Sequence, residues 1–290
     1  RMRPIWWVRI SLALVPFAVY AQPKAELELV IRHLTNNIYV LSPTSGVVGN
    51  MLVLTGPDGV LLVDSGYAQL APKIAAAIRK VSDAPIRFVI NTHPHEDHSG
   101  ANAAFAAQGA IVIAHSGTRT RLVHRAGTNT AAVPTITFDK SLSLHVNGEE
   151  VRLLHYGRGH TDGDCIVFFV QANVVHMGDY FFNFGFPFVD LGQGGSVAGY
   201  LRTISNVLAT LPVNAIVVPG HGPVASVPEL RRYHQLLLDT VEAAKHEIAK
   251  GRTLEEMKQS GLPAQWATRA GDTRSANFWL ETIYGDTRKQ

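Results

Sequence analysis

Thr92-His93-Pro94-His95-Glu96-Asp97-His98 is where this sequence concentrates side chains capable of chemistry. Three imidazoles and a carboxylate within six residues are costly to bury unless a cation coordinates them. On a tight loop, the alternate residues His93 and His95 can face one metal ion while Asp97 and His98 turn towards a second. Neutral imidazole and ionised carboxylate are the ligands that Zn²⁺ and related divalent ions take. A lone pair of histidines would read as a solvated polar loop; this density does not.

Three later segments repeat one arrangement, in which a strand-like run ends, a glycine follows and a ligand type appears. Val151 to His155 leads to Gly159-His160-Thr161, Val174 to His176 leads to Gly178-Asp179, and Ala215 to Val218 leads to Gly220-His221-Gly222. Glycine there lets the backbone turn sharply or approach the site closely. Each alone is weak, but four sets in the same relation to strand ends bring His160, Asp179 and His221 into one constellation with the first cluster.

The elements that must carry these residues are legible from periodicity. Asn50 to Leu54 and Val60 to Val63 read as strands joined by the turn Gly56-Pro57-Asp58-Gly59. Ile74, Ile78 and Val81 predict a helix that stops before Pro85, and Ile86 to Ile90 predicts the buried strand entering the histidine cluster. Ala101 to Ala107 reads as a short helix closed by Gly109, and Ile111 to Ala114 as a strand. Leu142 to Val146 and Val151 to His155 flank Asn147-Gly148, a hairpin signal. Cys165 to Val170, Val174 to His176 and Ala215 to Val218 are further strands. Val197, Leu201, Ile204, Leu208 and Leu211 form one helical stripe. After Pro228, Leu230, Tyr233, Leu237, Val241 and Ile248 form another. Sheet followed by helices, twice over, predicts an α/β fold: an αββα sandwich of two mixed sheets flanked by helices, in one domain over 22–290.

With its His-x-His-x-Asp-His signature and the three downstream ligands in order, the chain resembles the metallo-β-lactamase superfamily from roughly Ile38 to the helix after Pro228. The resemblance implies that His93, His95 and His160 hold a first metal, Asp97, His98 and His221 a second, and that Asp179 bridges them, with two Zn²⁺ or other divalent ions per chain. Asp64, in Val63-Asp64-Ser65-Gly66, matches a position that supports the ligands in that family, and reads equally as a strand-end turn residue. Two metals sharing a water lower its pKa towards 7, so the expected chemistry is hydrolysis by metal-bound hydroxide, with Asp97 orienting it and taking its proton. The commonest antibiotic hydrolases of the family carry a cysteine where Asp179 lies here and a lysine where Phe182 lies. The all-His/Asp set is closer to hydroxyacylglutathione hydrolases. The expected activity is hydrolysis of a β-lactam amide, with thioester or lactone hydrolysis as the alternative. A mononuclear iron persulfide dioxygenase is the alternative of another class, which His98 and His221 together argue against. A non-catalytic binding module has no use for so many buried polar groups.

Softer features surround this set. Phe181, Phe182, Phe184, Phe186 and Phe188 follow Asp179 and read as a pocket wall or as core packing. Phe182 and Asn183 are candidate pocket residues, Asn183 as an oxyanion donor or a turn residue. His115 follows a strand and can lie near the site. His33, His124, His145, His155, His176, His234 and His246 have no ligand context. Cys165, the single cysteine, excludes an internal disulfide and reads as a buried strand residue.

Composition sets the frame. Of 290 residues, 46% are hydrophobic and 17% charged, a globular balance. Residues 1–21 carry Arg1, Arg3 and Arg9, an apolar run from Ile10 to Tyr20, and small residues before a break. That pattern predicts a signal peptide, with a mature chain starting near Gln22 in the periplasm or secreted. The apolar run is too short for a membrane span, which needs roughly 20 residues. Removing the leader takes the net charge from +3 to 3 − 3 = 0. A neutral mature chain gives no reason to expect nucleic acid or, once the leader is cleaved, a membrane as partner, and the expected partner is a small-molecule substrate.

Overall fold

The structure, a computed structural model, describes residues 27–44, 48–127, 130–262, 264–267 and 273–289. The predicted leader lies outside the described residues. Among them the first sheet runs in chain order through β1 (Leu29–Thr35), β2 (Ile38–Pro43), β3 (Met51–Leu54), β4 (Val60–Val63), β5 (Ile86–Ile90), β6 (Ile111–His115) and β7 (Ile136–Phe138). The second has the order β13-β12-β11-β10-β9-β8, built from β8 (Ser141–Val146), β9 (Glu149–Leu154), β10 (Ile166–Phe169), β11 (Val174–His176), β12 (Ile216–Val218) and β13 (Ala225–Ser226). Both sheets are mixed. Pairing is antiparallel from β1 to β4 and parallel from β4 to β7, and in the second sheet β11 and β12 are the parallel pair.

The helices are α1 (Ala71–Ile78), α2 (Glu96–Ser99), α3 (Asn102–Ala106), α4 (Ser116–Ala126), α5 (Val197–Thr210), α6 (Val227–Ala249), α7 (Leu254–Ser260), α8 (Ala264–Ala267) and α9 (Thr273–Thr287), and α1, α3, α5, α6 and α9 cover the outer faces of the sheets. Three apolar cores correspond to the layers. Leu52, Val63, Ile90, Leu153, Val167 and Val218 meet between the sheets. Ile74, Ile78 and Phe105 pack α1 and α3 on the first sheet. Ile204, Leu230, Leu237 and Trp279 pack α5, α6 and α9 on the second. The αββα sandwich read from the sequence is the fold.

Local chemistry explains the main boundaries. Asn147 (φ +54°) and Gly148 (φ +79°) make the two-residue turn that registers Val146 against Glu149. Ser226 and Glu229 form a capping box at the start of α6. Helix α1 stops at Ile78, short of the predicted Val81, whose N–H instead reaches the Ile78 carbonyl in a tightening turn. Leu211 closes α5 as its cap rather than extending it. Cys165 is buried, and burial pushes its thiol well above the ordinary range, as a structural strand residue requires.

Two backbone bonds fasten the sheets together where the site lies. Cys165 N donates to Thr92 O at 2.7 Å, and Asn50 N donates to Gly220 O at 2.7 Å. The carboxyl ends of β4, β5, β11 and β12 therefore open onto one edge of the sandwich.

Candidate active site

All seven predicted ligand residues converge on that edge. His93, His95, His160 and Asp179 form one group of ligand-type atoms, and Asp97, His98 and His221 a second, the atoms of each group lying within 4.8 Å of one another. Asp179 stands between them. Its Oδ2 lies 3.7 Å from His93 Nε2 and 3.5 Å from His160 Nε2. Its Oδ1 lies 3.2 Å from His98 Nε2 and 3.5 Å from His221 Nε2. Asp97 Oδ2 is 3.2 Å from both His98 Nε2 and His221 Nε2.

The outer nitrogen of most of these rings is already committed, which fixes the ring and turns the other nitrogen inward. His98 Nδ1 donates to Asp64 Oδ2 at 2.7 Å, and His160 Nδ1 donates to the Phe188 carbonyl at 2.7 Å. His95 is reversed: its Nε2 bonds Asp190 Oδ2 at 3.0 Å and its Nδ1 faces His160 Nε2 at 2.9 Å. His93 Nδ1 meets Thr92 Oγ1 at 3.0 Å, and that hydroxyl donates to Asp64 Oδ2 at 2.8 Å. Asp64 thus orients His98 directly and His93 through Thr92, one ring of each group. It is fully buried at the end of β4 with φ +62°, so it is a turn residue and a support at once.

Glycine does what the sequence predicts at Gly220, where a Cβ would run into Asp179 Oδ1. Gly178 turns the chain at φ +51° immediately before Asp179. From the helical side, Tyr200 OH donates to the Asp179 carbonyl at 2.9 Å and meets Tyr233 OH at 3.0 Å, tying α5 and α6 to that loop. Asn50 Nδ2 holds the loop of His221 by donating to Pro219 O at 3.0 Å and Gly222 O at 2.8 Å.

The donor set fits divalent cations. His93 Nε2 and Asp179 Oδ1 are buried and make no hydrogen bond, although each points into the cluster. Leaving such atoms bare costs roughly 1–3 kcal/mol apiece, a cost that coordination removes. The electrostatics of the cluster point the same way. Burial drives His93 far below the ordinary histidine range and lowers His160 to about 4. Burial also opposes charge on His98 and His221, yet the surrounding carboxylates outweigh it. Asp97, Asp179 and Asp64 raise His98 well above its usual value, and Asp179 with Asp97 raises His221 to about 9. Burial alone would lift Asp179, but His221, His98 and His93 hold it ionised. The cluster draws positive charge into its own middle.

The softer predictions divide. Phe181 and Phe186 are buried in the core. Phe182 stacks flat on His221, 5.2 Å between centroids and 4° between planes, as a backing to that ring. Asn183 is a turn residue: its Nδ2 donates to Pro223 O at 2.8 Å, away from the cluster. His115 lies outside the site, stacked on His155 at 3.7 Å, and His176 is buried with its Nε2 on Asn50 O. Asp190, Thr92 and the Phe188 carbonyl are supports that no sequence motif marked.

The carboxylate of Asp64 faces three donors, Thr92 N, Thr92 Oγ1 and His98 Nδ1. Asp64→Asn would place an amide N–H among them, so it is expected to weaken cation binding about 10- to 100-fold. Zinc retained against graded chelator measures this, and undiminished retention would deny Asp64 the supporting role.

A family model described as the Metallo-beta-lactamase superfamily matches residues 44–221, a span that contains all seven of these residues. The chain belongs to the metallo-beta-lactamase superfamily. Members of this superfamily are hydrolases, and the fold and the His/Asp groups of this member are those of a metallo-hydrolase. A hydroxyacylglutathione hydrolase of Polaromonas sp. (strain JS666 / ATCC BAA-500) is 35% identical over 148 residues, covering 50% of this chain and 52% of that protein. The chain thus matches about half the length of that relative. Metallo-beta-lactamase IND-1 of Chryseobacterium indologenes is 25% identical over 219 residues, 73% of this chain and 88% of that protein. Among solved structures, a metallo-beta-lactamase from Pontibacter korlensis superposes with a TM-score of 0.64 at 18% identity, over 73% of this chain and all (100%) of that one.

Proposed function

We propose that this superfamily hydrolase works with two Zn²⁺ ions, His93, His95 and His160 holding one, Asp97, His98 and His221 the other, and Asp179 joining them. The observation that carries the reading is the Asp179 carboxylate, with Oδ2 facing one set of imidazoles and Oδ1 facing the other. Two such cations would supply Lewis acidity for the substrate oxygen and lower the pKa of a bound water. Asp97 is the most open carboxylate of the cluster, 17% exposed against 5% for Asp179. Its carboxylate would orient the attacking water and take its proton. The buried imidazoles, pinned from behind by Asp64, Thr92, Asp190 and Phe188, hold the reaction centre rigid, so little reorganisation accompanies the chemistry. No serine or cysteine nucleophile enters: Cys165 is buried and protonated.

The bond we propose is a β-lactam amide. The relative matched over 88% of its own length is a β-lactamase, and the exported address read from residues 1–21 suits a β-lactam substrate. A thioester or lactone is the second reading, supported by the 35% identity to a hydroxyacylglutathione hydrolase. The test is metal analysis of the purified chain together with turnover of a cephalosporin, a carbapenem, a thioester and a lactone. Two zincs and β-lactam opening are expected. Thioester turnover without β-lactam opening would move the assignment to the second reading. One iron per chain with oxygen consumption would overturn both.

A further inference from the structure

The C-terminal helix α9 reaches the site through the segment that follows Asp179. Trp279 stacks with Phe186 at 6.2 Å and 14°, and Asp286 Oδ2 accepts the Val197 N–H at 3.2 Å. A Cβ at Gly285 would touch Leu191 at 3.4 Å, so this helix face lies close against the segment. Clamped between these points are the Phe188 carbonyl that holds His160 and the Asp190 carboxylate that holds His95.

At the outer end of the same seam, Phe278 of α9 meets Phe188, 5.5 Å between ring centroids and tilted 38°. Phe188 in turn lies 5.7 Å from His95 and 5.7 Å from His160. Both phenylalanines remain open to solvent, Phe188 39% exposed and Phe278 40%. A single exposed apolar side chain needs no explanation. Two rings brought together from distant parts of the chain, one of them against two candidate ligands, form an apolar surface at the flank of the site, the kind of surface that lines binding sites. The segment from Met177 to Gly195 contains no Lys or Arg, and its charges are Asp179 and Asp190, both committed to histidines.

We propose that Phe188 and Phe278 form a subsite for an uncharged, aryl-sized group of the substrate, next to the His95–His160 side of the site. The subsite rests on the two-cation reading above. It selects by substituent: a β-lactam or thioester carrying an aromatic acyl side group is seated by that group rather than by its carboxylate.

Calorimetric titration of the zinc-loaded full chain with phenylacetohydroxamate and acetohydroxamate tests it without turnover. An aromatic pair adds up to about 1.5 kcal/mol, so the phenyl compound is expected to bind about tenfold tighter. Phe278→Ala is expected to cut that ratio to about threefold or less, and Phe278→Tyr to keep it. Phe278→Leu, which preserves helix and bulk, separates ring recognition from packing and is expected to fall between them. Two bound zincs with equal affinities for the two hydroxamates, or a ratio untouched by Phe278→Ala, would overturn the subsite alone. Fewer than two cations with neither hydroxamate bound would overturn the two-cation reading and the subsite with it.

Discussion

Asp179→Asn is expected to lower kcat/KM by about a thousandfold or more, a loss of roughly 4 kcal/mol in transition-state stabilisation. The variant is also expected to retain at most one cation through gel filtration. The side chain is 95% removed from solvent, its relative exposure being 5%, and it presents one oxygen to each set of imidazoles. An amide keeps the shape but gives up the charge and one acceptor, and turns N–H donors towards rings whose lone pairs already point inward. His98 and His221 also lose a carboxylate oxygen that lies 3.2 Å and 3.5 Å from their Nε2 atoms. Metal content and kinetics on the same preparation decide the matter. Two cations and near-normal turnover in Asp179→Asn would show that the carboxylate joins nothing.

Chelation is the second large effect. Protein stripped of metal is expected to keep less than about 1% of its activity and to regain it on addition of two equivalents of Zn²⁺. It is also expected to melt earlier. A ligand at a thousand times its dissociation constant stabilises by about 4 kcal/mol, which for a domain of this size amounts to a shift on the order of 10 °C. The shift has a structural source, because His93, His95, Asp97 and His98 follow β5 of the first sheet while His160, Asp179 and His221 lie in loops after strands of the second. Cations in this cluster would tie the sheets together. Full activity in excess chelator would remove metal from the chemistry.

Much of this was written in the order of residues. The histidine cluster follows directly on Ile90, the buried end of β5, so a local pattern and a local element coincide there. The glycine before Asp179 and the one before His221 announced tight turns at strand ends, and the structure shows why: Gly220 has no room for a Cβ beside Asp179. What escaped was tertiary. Asp190 supports His95 across the fold and sits in no motif, and Thr92 acts on His93 only because Asp64 takes its hydroxyl hydrogen. Strand β1 went unread because Leu29–Thr35 lies at the sheet edge, half-buried with no clean alternation. Helix α9 could have been found, since Ala276, Trp279, Leu280 and Ile283 repeat at helical spacing and all are buried. Phe278 falls off that stripe, and its partner Phe188 could be seen only once the chain had folded. Asn183 kept the humbler of its two readings, because its amide closes the turn against Pro223.

The donors that converge on this edge begin at position 93 and finish at position 221 of 290. Assembly order follows from that spread. A chain still emerging from the ribosome holds four of the donors on a half-built sandwich, and the last imidazole arrives only after the second sheet is nearly complete. Metal capture by the full donor set would therefore be a finishing step, made from whichever ion pool surrounds the nearly folded protein.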